Sequence, residues 1–153
     1  MTPRALVLGL LPSIRGGLGE LAKTGQDSRL IDGYLRPYAS AFEDVRYFSY
    51  LDERLEGYTA EPDLLARVRV LPGGMLHPWL YAFFMPLRYR REMRGCSVLR
   101  VFQITGVIPA LIAKRLFGVP FVTTYGFWYS RLARSGLAGT LRALLRTMVE
   151  RAG

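Results

Sequence analysis

The residues whose types and spacing could do chemistry begin with a glycine-containing loop, residues 12–19, which reads Pro-Ser-Ile-Arg-Gly-Gly-Leu-Gly. Glycines let backbone N–H groups approach a phosphate closely, and the N-terminus of a following helix adds a favourable partial charge. The spacing of Gly16, Gly17 and Gly19 matches neither the GxGxxG dinucleotide fingerprint nor a P-loop. Two interpretations stay open, a ligand-contacting loop and a flexible surface loop, and the position after a first apolar run favours the ligand.

A second cluster, residues 123–129, reads Thr-Thr-Tyr-Gly-Phe-Trp-Tyr and follows another short apolar run. Aromatic rings at the carboxyl end of a strand can stack on a sugar, or they can pack beneath the next helix. Both interpretations stay open for this cluster.

The presence of only one histidine and one cysteine excludes several classes of chemistry. With one histidine and one cysteine, the chain can form neither a histidine cluster nor a disulfide framework, and we predict no metal site and no cofactor. His77 stands beside Pro78 at a helix start, where a structural role is expected. An acid after a second strand binds ribose in dinucleotide enzymes, but for Asp52 and Glu53 the missing fingerprint favours a solvated loop.

The segment 79–94 combines an apolar beginning, Trp-Leu-Tyr-Ala-Phe-Phe-Met, with four arginines near its end. Aromatic residues next to clustered arginine suit a membrane interface that contains anionic lipid. The alternative is a core helix with a solvated, arginine-rich end. The membrane surface predicted here consists of Trp79, Phe83, Phe84, Arg88, Arg90, Arg91 and Arg94.

Composition and charge point to one ordered domain with an anionic partner. The chain has 153 residues, 50% of them apolar and 22% charged, which argues against disorder. Its net charge is +9, and residues 64–153 hold 14 basic side chains against two acidic ones. Such an excess of positive charge implies an anionic binding partner, which is a phosphate, an acidic lipid or a nucleic acid. Nucleic acid is disfavoured because the aromatic residues are contiguous and not interleaved with the basic ones.

The elements that must position these residues alternate between strand and helix. Short apolar runs bounded by glycine or proline predict buried strands, and the longer stretches between them predict helices. Residues 27–42 are expected to form a helix that Pro37 kinks or splits, and residues 52–66 a polar loop. The predicted strands are Ala5–Leu11, Val45–Leu51, Val68–Leu71, Val98–Gln103 and Phe121–Thr124; further helices are predicted over residues 78–94, from Thr105 or Gly106 to Phe117, and from Ser135 onward.

This order predicts an α/β fold, a Rossmann-like doubly wound parallel sheet with helices on both faces. Ligands of such sheets bind at the carboxyl ends of the strands, near the switch in strand order. The rule selects the loops after Leu11, Gln103 and Thr124. No apolar stretch approaches the roughly 18 residues that span a membrane.

The pattern resembles the N-terminal domain of GT-B glycosyltransferases, in particular the family 4-like group. Three pieces carry the resemblance: the first strand with its Arg-Gly-Gly-Leu-Gly loop, the helix that begins at residues 24–29, and the unit of residues 98–126. Members typically show a "giP-v-t-H-G" signature in that unit, where this chain reads Gly-Val-Pro-Phe-Val-Thr-Thr-Tyr-Gly. Tyr125 replaces the usual histidine.

The resemblance implies a transferase that moves a sugar from a nucleotide-sugar to a polysaccharide or glycolipid acceptor. It assigns donor diphosphate binding to Gly16, Gly17 and Gly106. Catalytic residues are not assigned. Contacts to the acceptor or its sugar are assigned to Arg15, Gln103, Thr105, Tyr125, Gly126 and Trp128.

The resemblance also sets the expected organisation. Residues 1–153 correspond to one N-terminal domain, and the donor-binding C-terminal domain of the family lies outside them. We therefore expect the chain alone to be inactive, and Gly17→Val to reduce the activity of a completed enzyme without unfolding the domain. The alternative is a non-catalytic subunit that binds the acceptor or docks a separate donor-binding subunit to the membrane. We expect a cytoplasmic protein, peripheral at the inner membrane face.

Overall fold

A sheet of five parallel strands forms the centre of the computed structural model, which describes residues 5–123. The strands follow the order β3-β2-β1-β4-β5. They are β1 (Val7–Leu11), β2 (Asp44–Phe48), β3 (Val68–Leu71), β4 (Val98–Val101) and β5 (Phe121–Thr123). The helices are α1 (Leu18–Ala22), α2 (Asp27–Leu30), α3 (Arg36–Ala41), α4 (Pro62–Arg67), α5 (Pro78–Arg88), α6 (Arg90–Arg94) and α7 (Val107–Phe117).

The central strand is β1, and all five of its residues are buried. Leu8 pairs with Val45 of β2 on one side and with Val98 of β4 on the other. An uninterrupted apolar run suits this place because a central strand of a parallel sheet is covered on both faces. The strand order reverses direction at β1, which makes the β1–β4 boundary the switch point of the sheet.

Alternation along the strands divides the core between two faces. Leu8 and Leu10 pack with the buried residues of α2 and α3, whereas Val7 and Leu11 pack with those of α5 and α7. Because successive side chains of a strand point to opposite faces, helices cover the sheet on both sides. The prediction of a doubly wound, Rossmann-like α/β fold is confirmed.

The predicted helix over residues 27–42 is present in three parts. A π-helical turn, Ile31–Leu35, joins α2 to α3. Pro37 falls in the first turn of α3, where a missing N–H costs little. The helix is therefore split as expected, but the break is the π-helical turn just before Pro37. The buried residues Leu30, Ile31 and Leu35 continue across this turn.

Two predictions about boundaries were wrong. Residues 52–66 do not form a simple loop, because they contain a 3-10 turn, Leu55–Gly57, and the start of α4. Leu55 and Leu64 are buried there and anchor the segment to the core. The predicted helix over residues 78–94 is divided at Tyr89 into α5 and α6. Among residues 5–123, no helix is long and apolar enough to cross a bilayer.

The unit from β4 to β5 closely follows expectation. A 3-10 turn, Ile104–Gly106, leads into α7, which carries Pro109 in its first turn. Gly118 ends α7 in the left-handed conformation, with φ of +72°, that favours glycine. The strand β4 is shorter than predicted and ends at Val101, which leaves Phe102 and Gln103 in the loop at the carboxyl edge of the sheet.

Candidate functional site

A cleft of about 460 Å³ opens at the carboxyl edge of the sheet, beside the β1–β4 switch point. The loop of residues 12–17 after β1 forms one wall, and residues from α1 and α2 form another. Phe102 and Gln103, which follow β4, complete the lining together with Tyr34 and Tyr47. Parallel strands bring their carboxyl ends to one edge, so residues about 90 positions apart in sequence meet in this cleft.

The loop of residues 12–17 holds a specific backbone conformation. The N–H of Gly16 donates a 2.7 Å hydrogen bond to the carbonyl of Ser13, which closes a tight turn. Arg15, inside that turn, has a φ of +70°, the left-handed region that non-glycine residues rarely adopt. Its side chain is exposed and lines the cleft. Backbone strain of this kind is concentrated at ligand-binding sites, where the surrounding structure holds it in place.

The glycines of the loop have internal neighbours. A Cβ added to Gly17 would lie 2.7 Å from Oε1 of Glu53 and 2.8 Å from Oγ of Ser49. A Cβ added to Gly16 would lie 2.8 Å from the carbonyl oxygen of Ser13. Close packing therefore requires glycine at both positions. Both line the cleft, and their role in diphosphate binding stays a prediction.

Glu53 occupies the N-terminus of α1. Its Oε1 accepts a 2.9 Å hydrogen bond from the N–H of Leu18, and its Oε2 accepts one of 2.8 Å from the N–H of Gly19. The Ser49 hydroxyl donates a further bond of 2.5 Å to Oε1. The prediction of a solvated loop was wrong for Glu53, which is buried, whereas Asp52 is exposed. An internal carboxylate thus occupies the N-terminus of α1, whose partial charge we expected to favour a phosphate, and the N–H groups of Leu18 and Gly19 already have a partner.

Two residues of the predicted site lie behind the loop. Thr105 accepts a 3.4 Å hydrogen bond from the N–H of Ile14 through its hydroxyl, which links the loop to the turn after β4. Gly106 is buried, and a Cβ at this position would meet the carbonyl of Pro12. Neither residue belongs to the cleft lining, so the structure places Thr105 and Gly106 as supports of the loop.

An aromatic wall stabilises the opposite side of the cleft. The rings of Tyr34 and Phe102 meet edge to face with centroids 5.2 Å apart. The Arg100 guanidinium lies over both rings, at 5.7 and 5.5 Å from their centroids, and over Tyr38 at 5.7 Å. Each such contact contributes about 0.5–1 kcal/mol at partly exposed sites. Arg100 therefore holds the two cleft-lining rings from behind.

The charge of the cleft is predominantly positive. Arg15 and Arg29 are exposed cations of its lining. Of the lining residues in the described part of the chain, only Glu20 carries a carboxylate. A hydrogen bond from Lys23, 2.7 Å long, lowers the pKa of Glu20 and offsets its charge. Burial raises the pKa of Tyr47, whose hydroxyl therefore stays neutral.

The predicted site residues are thus partly assembled. Arg15, Gly16, Gly17 and Gln103 meet in the cleft. Tyr125, Gly126 and Trp128 lie outside the described residues, as does the helix predicted from Ser135. Sequence reasoning did not assign the other lining residues, and four of them could have been indicated by their place after β4 or in the helical segment that begins near residue 27. They are Gln26, Arg29, Tyr34 and Phe102.

The second predicted surface, on α5 and α6, lies apart from the cleft lining. Trp79, Phe83 and Phe84 are about half exposed, whereas Tyr81 and Met85 of the same helix are buried. The four arginines of this surface are exposed as well. The inner face of α5 is therefore part of the core and its outer face is an exposed apolar surface, whereas contact of this surface with a membrane stays a prediction.

Comparisons of the chain with protein-family models, with curated proteins and with solved structures find no match.

Proposed function

We propose that this chain is the acceptor-side domain of a glycosyltransferase of the GT-B type, which transfers a sugar from a nucleotide-sugar to a polysaccharide or glycolipid acceptor. The observation that carries the proposal is the cleft at the switch point of the sheet, which combines arginine, glutamine and aromatic side chains. A doubly wound sheet binds its ligands at this place.

The lining suits a sugar that carries negative charge. Aromatic rings such as Tyr34 and Phe102 offer apolar faces to the C–H groups of a pyranose, and Gln26 and Gln103 offer amides to its hydroxyl groups. Arg15 and Arg29 can meet a phosphate or carboxylate with two parallel N–H donors. The strained backbone at Arg15 positions one of these cations at the mouth of the cleft.

The cleft supports binding better than complete catalysis. Glu20, the carboxylate of the described lining, has a lowered pKa and is therefore a weak base and a poor acid at neutral pH. Sugar transfer also requires that donor and acceptor be clamped together and that developing charge be stabilised. We assign acceptor orientation and part of the diphosphate contacts to this domain and most donor contacts to a second domain, so the isolated chain is expected to lack transferase activity.

The second candidate is a non-catalytic subunit that binds the acceptor or docks a separate donor-binding subunit to the membrane. The exposed apolar face of α5 favours it, because an enzyme domain needs no such surface for chemistry alone. Sugar transfer separates the candidates. A complex of this chain with a donor-binding domain should lose turnover through cleft substitutions if the chain is the acceptor half, whereas a docking subunit should lose only attachment.

Amide chemical shifts of the full chain test the cleft directly. The probes are glucose 1-phosphate, UDP-glucose and neutral methyl glucoside. We expect the two phosphorylated probes to shift the amides of Gly16, Gly17 and Gln103 at millimolar concentration, and the neutral sugar to act more weakly. Arg29→Gln should weaken binding about tenfold, because a charge-assisted contact is lost. The matched control is Arg54→Gln, an exposed arginine outside the lining. Equal binding by both variants, or shifts confined to other parts of the chain, would overturn the proposal.

A further inference from the structure

The outer face of α5 is an unusually long apolar stripe. The five of its residues that belong to α5 follow one another at intervals of one and three, which places them on one side of the helix, and the sixth, Leu76, lies just before the helix. Each has an exposed fraction between 46% and 54%, and Met75, just before the helix, is fully exposed. Soluble domains rarely leave such a contiguous surface without a partner. The stripe consists of Leu76, Trp79, Leu80, Phe83, Phe84 and Leu87.

The core does not account for this stripe. The opposite side of α5 already packs into the core through Tyr81, Ala82 and Met85. The Tyr81 ring meets Tyr50 edge to face at 5.4 Å, which fixes the rotation of the helix on the sheet. The aromatic residues of the stripe lie outside this packed inner face and keep about half of their surface exposed. Within residues 5–123, no helix or strand covers their outer apolar surface.

The charge beside the stripe indicates which partner. Arg88 closes α5, and three further arginines belong to α6. All four are exposed, and Glu92 is the one acid within residues 75–95. The Arg88 guanidinium lies 5.4 Å from the centre of the Tyr89 ring. An apolar stripe with an adjoining cationic cluster matches a partner that has an apolar interior and an anionic surface.

A bilayer that contains acidic lipid has both properties. The 11 residues of α5 extend about 16 Å at 1.5 Å per residue, too short to cross a membrane but sufficient to lie in its interface. A second copy of the chain fits less well, because two molecules of net charge +9 would repel each other. The charge therefore favours lipid over self-association.

We propose that the outer face of α5 docks this domain on an anionic membrane, with the apolar stripe in the headgroup boundary and the arginines of α5 and α6 on acidic lipid headgroups. The attachment is peripheral and reversible. It rests on the exposed face alone and holds under either candidate function, so its test is independent of sugar binding.

Co-sedimentation of the full chain with vesicles tests the proposal. The vesicles contain either phosphatidylcholine alone or phosphatidylcholine with 30 mol% phosphatidylglycerol, on the order of an ordinary anionic membrane surface. We expect binding to the anionic vesicles that weakens strongly between 0.1 and about 1 M salt, where the Debye length falls from about 10 to about 3 Å. Equal binding to neutral vesicles, unaffected by salt, would overturn the role of the arginines.

Two pairs of variants localise the contact. Phe83→Gln with Phe84→Gln should weaken anionic binding at least tenfold, whereas Leu6→Gln with Val122→Gln should not, although these control residues are equally exposed, at 54% and 53%. Val122 pairs with Arg100, whose guanidinium lies over Tyr34 and Tyr38, so it faces the side of the sheet away from α5. Arg90→Gln with Arg91→Gln should weaken anionic binding roughly 25-fold, at about fivefold per arginine, and Arg54→Gln with Arg67→Gln should not.

Two outcomes would contradict lipid docking. The first is wild-type vesicle binding by a folded Phe83→Gln/Phe84→Gln variant, with folding checked by circular dichroism. The second is a chain that ignores vesicles but forms a dimer in light scattering that the same variant abolishes. In that case the face joins two copies.

Discussion

The carboxylate of Glu53 binds the first N–H of α1, with 2.9 Å between its Oε1 and the nitrogen of Leu18. Glu53 thereby acts as an N-cap supplied from 35 residues away, because Gly17 at the cap position has no side chain to offer. The glycine-containing loop is held from below by this carboxylate, and only its outer side faces the cleft.

Replacement of Glu53 should therefore destabilise the domain. The Glu53 carboxylate accepts four hydrogen bonds, since the Tyr58 hydroxyl also donates one of 3.4 Å to Oε2. Glu53→Gln leaves one carbonyl oxygen for these four donors, and its amide nitrogen brings protons toward the N–H of Gly19. We expect a loss of about 1–3 kcal/mol in the free energy of unfolding, as for a buried hydrogen-bonded group. Urea denaturation measures it, with the exposed neighbour variant Asp52→Asn as the control. Equal stability of the two variants would show that the cap is unimportant.

Gly17→Val should unfold or destabilise the chain, contrary to the expectation from sequence. That expectation assumed an open loop, whereas the Cβ would lie within 3 Å of Glu53, Ser49 and Leu51. Overpacking of this kind costs about 1–3 kcal/mol. Gly33→Ala is the matched control, because nothing lies within 4 Å of its Cβ position. Thermal unfolding measures the melting temperatures of both variants, and only that of Gly17→Val should fall below the wild-type value. A Gly17→Val melting temperature at or above that of the wild type would contradict the structure.

Arg15→Gly should stabilise the fold and weaken ligand binding together. A left-handed conformation costs a non-glycine residue about 1–2 kcal/mol, which glycine avoids at some cost in chain entropy. We expect a net gain of about 0.5–1 kcal/mol in denaturation experiments. The mirror control is Gly25→Ala, at φ +67° in open space, which should lose about 1 kcal/mol. A destabilised Arg15→Gly variant would show that the side chain contributes more than its backbone costs.

Asp44 should make stability depend on pH in the acid range. Burial by itself would raise the pKa of Asp44, but hydrogen bonds from Arg69 and Arg46, 2.7 and 2.8 Å long, outweigh it and lower the pKa below the ordinary value of 3.8. A lowered pKa in the folded state gives stability that is complete above the unfolded pKa and is lost as the pH falls through the folded one. Between pH 5 and pH 2, Asp44→Asn should therefore show a smaller loss of unfolding free energy than the wild type. Parallel pH profiles would mean that the two ion pairs contribute nothing.

Much of the fold follows from sequence because its signals are local. The apolar run of β1 and the alternation of strands with helices predict a parallel sheet that is covered on both faces, without knowledge of which residues cover it. Pro109 and Gly118 delimit α7 through backbone preferences that act within a single turn. Topology alone brings the loops after Leu11 and Gln103 to one edge of the sheet, since parallel strands must end at the same edge. The assignment of Arg15, Gly16, Gly17 and Gln103 within these loops came from the resemblance.

Tertiary structure decided what depends on distant neighbours. The polar composition of residues 52–66 predicts a loop, but Leu55 and Leu64 are buried by elements far away in sequence, and Glu53 turns inward because α1 has unpaired N–H groups there. The helix α5 is apolar on all sides, so its periodicity could not tell which face the core would cover. Only packing against the sheet buries Tyr81 and Met85 and leaves Phe83 and Phe84 exposed, because a helix on the surface of a sheet can bury one side only.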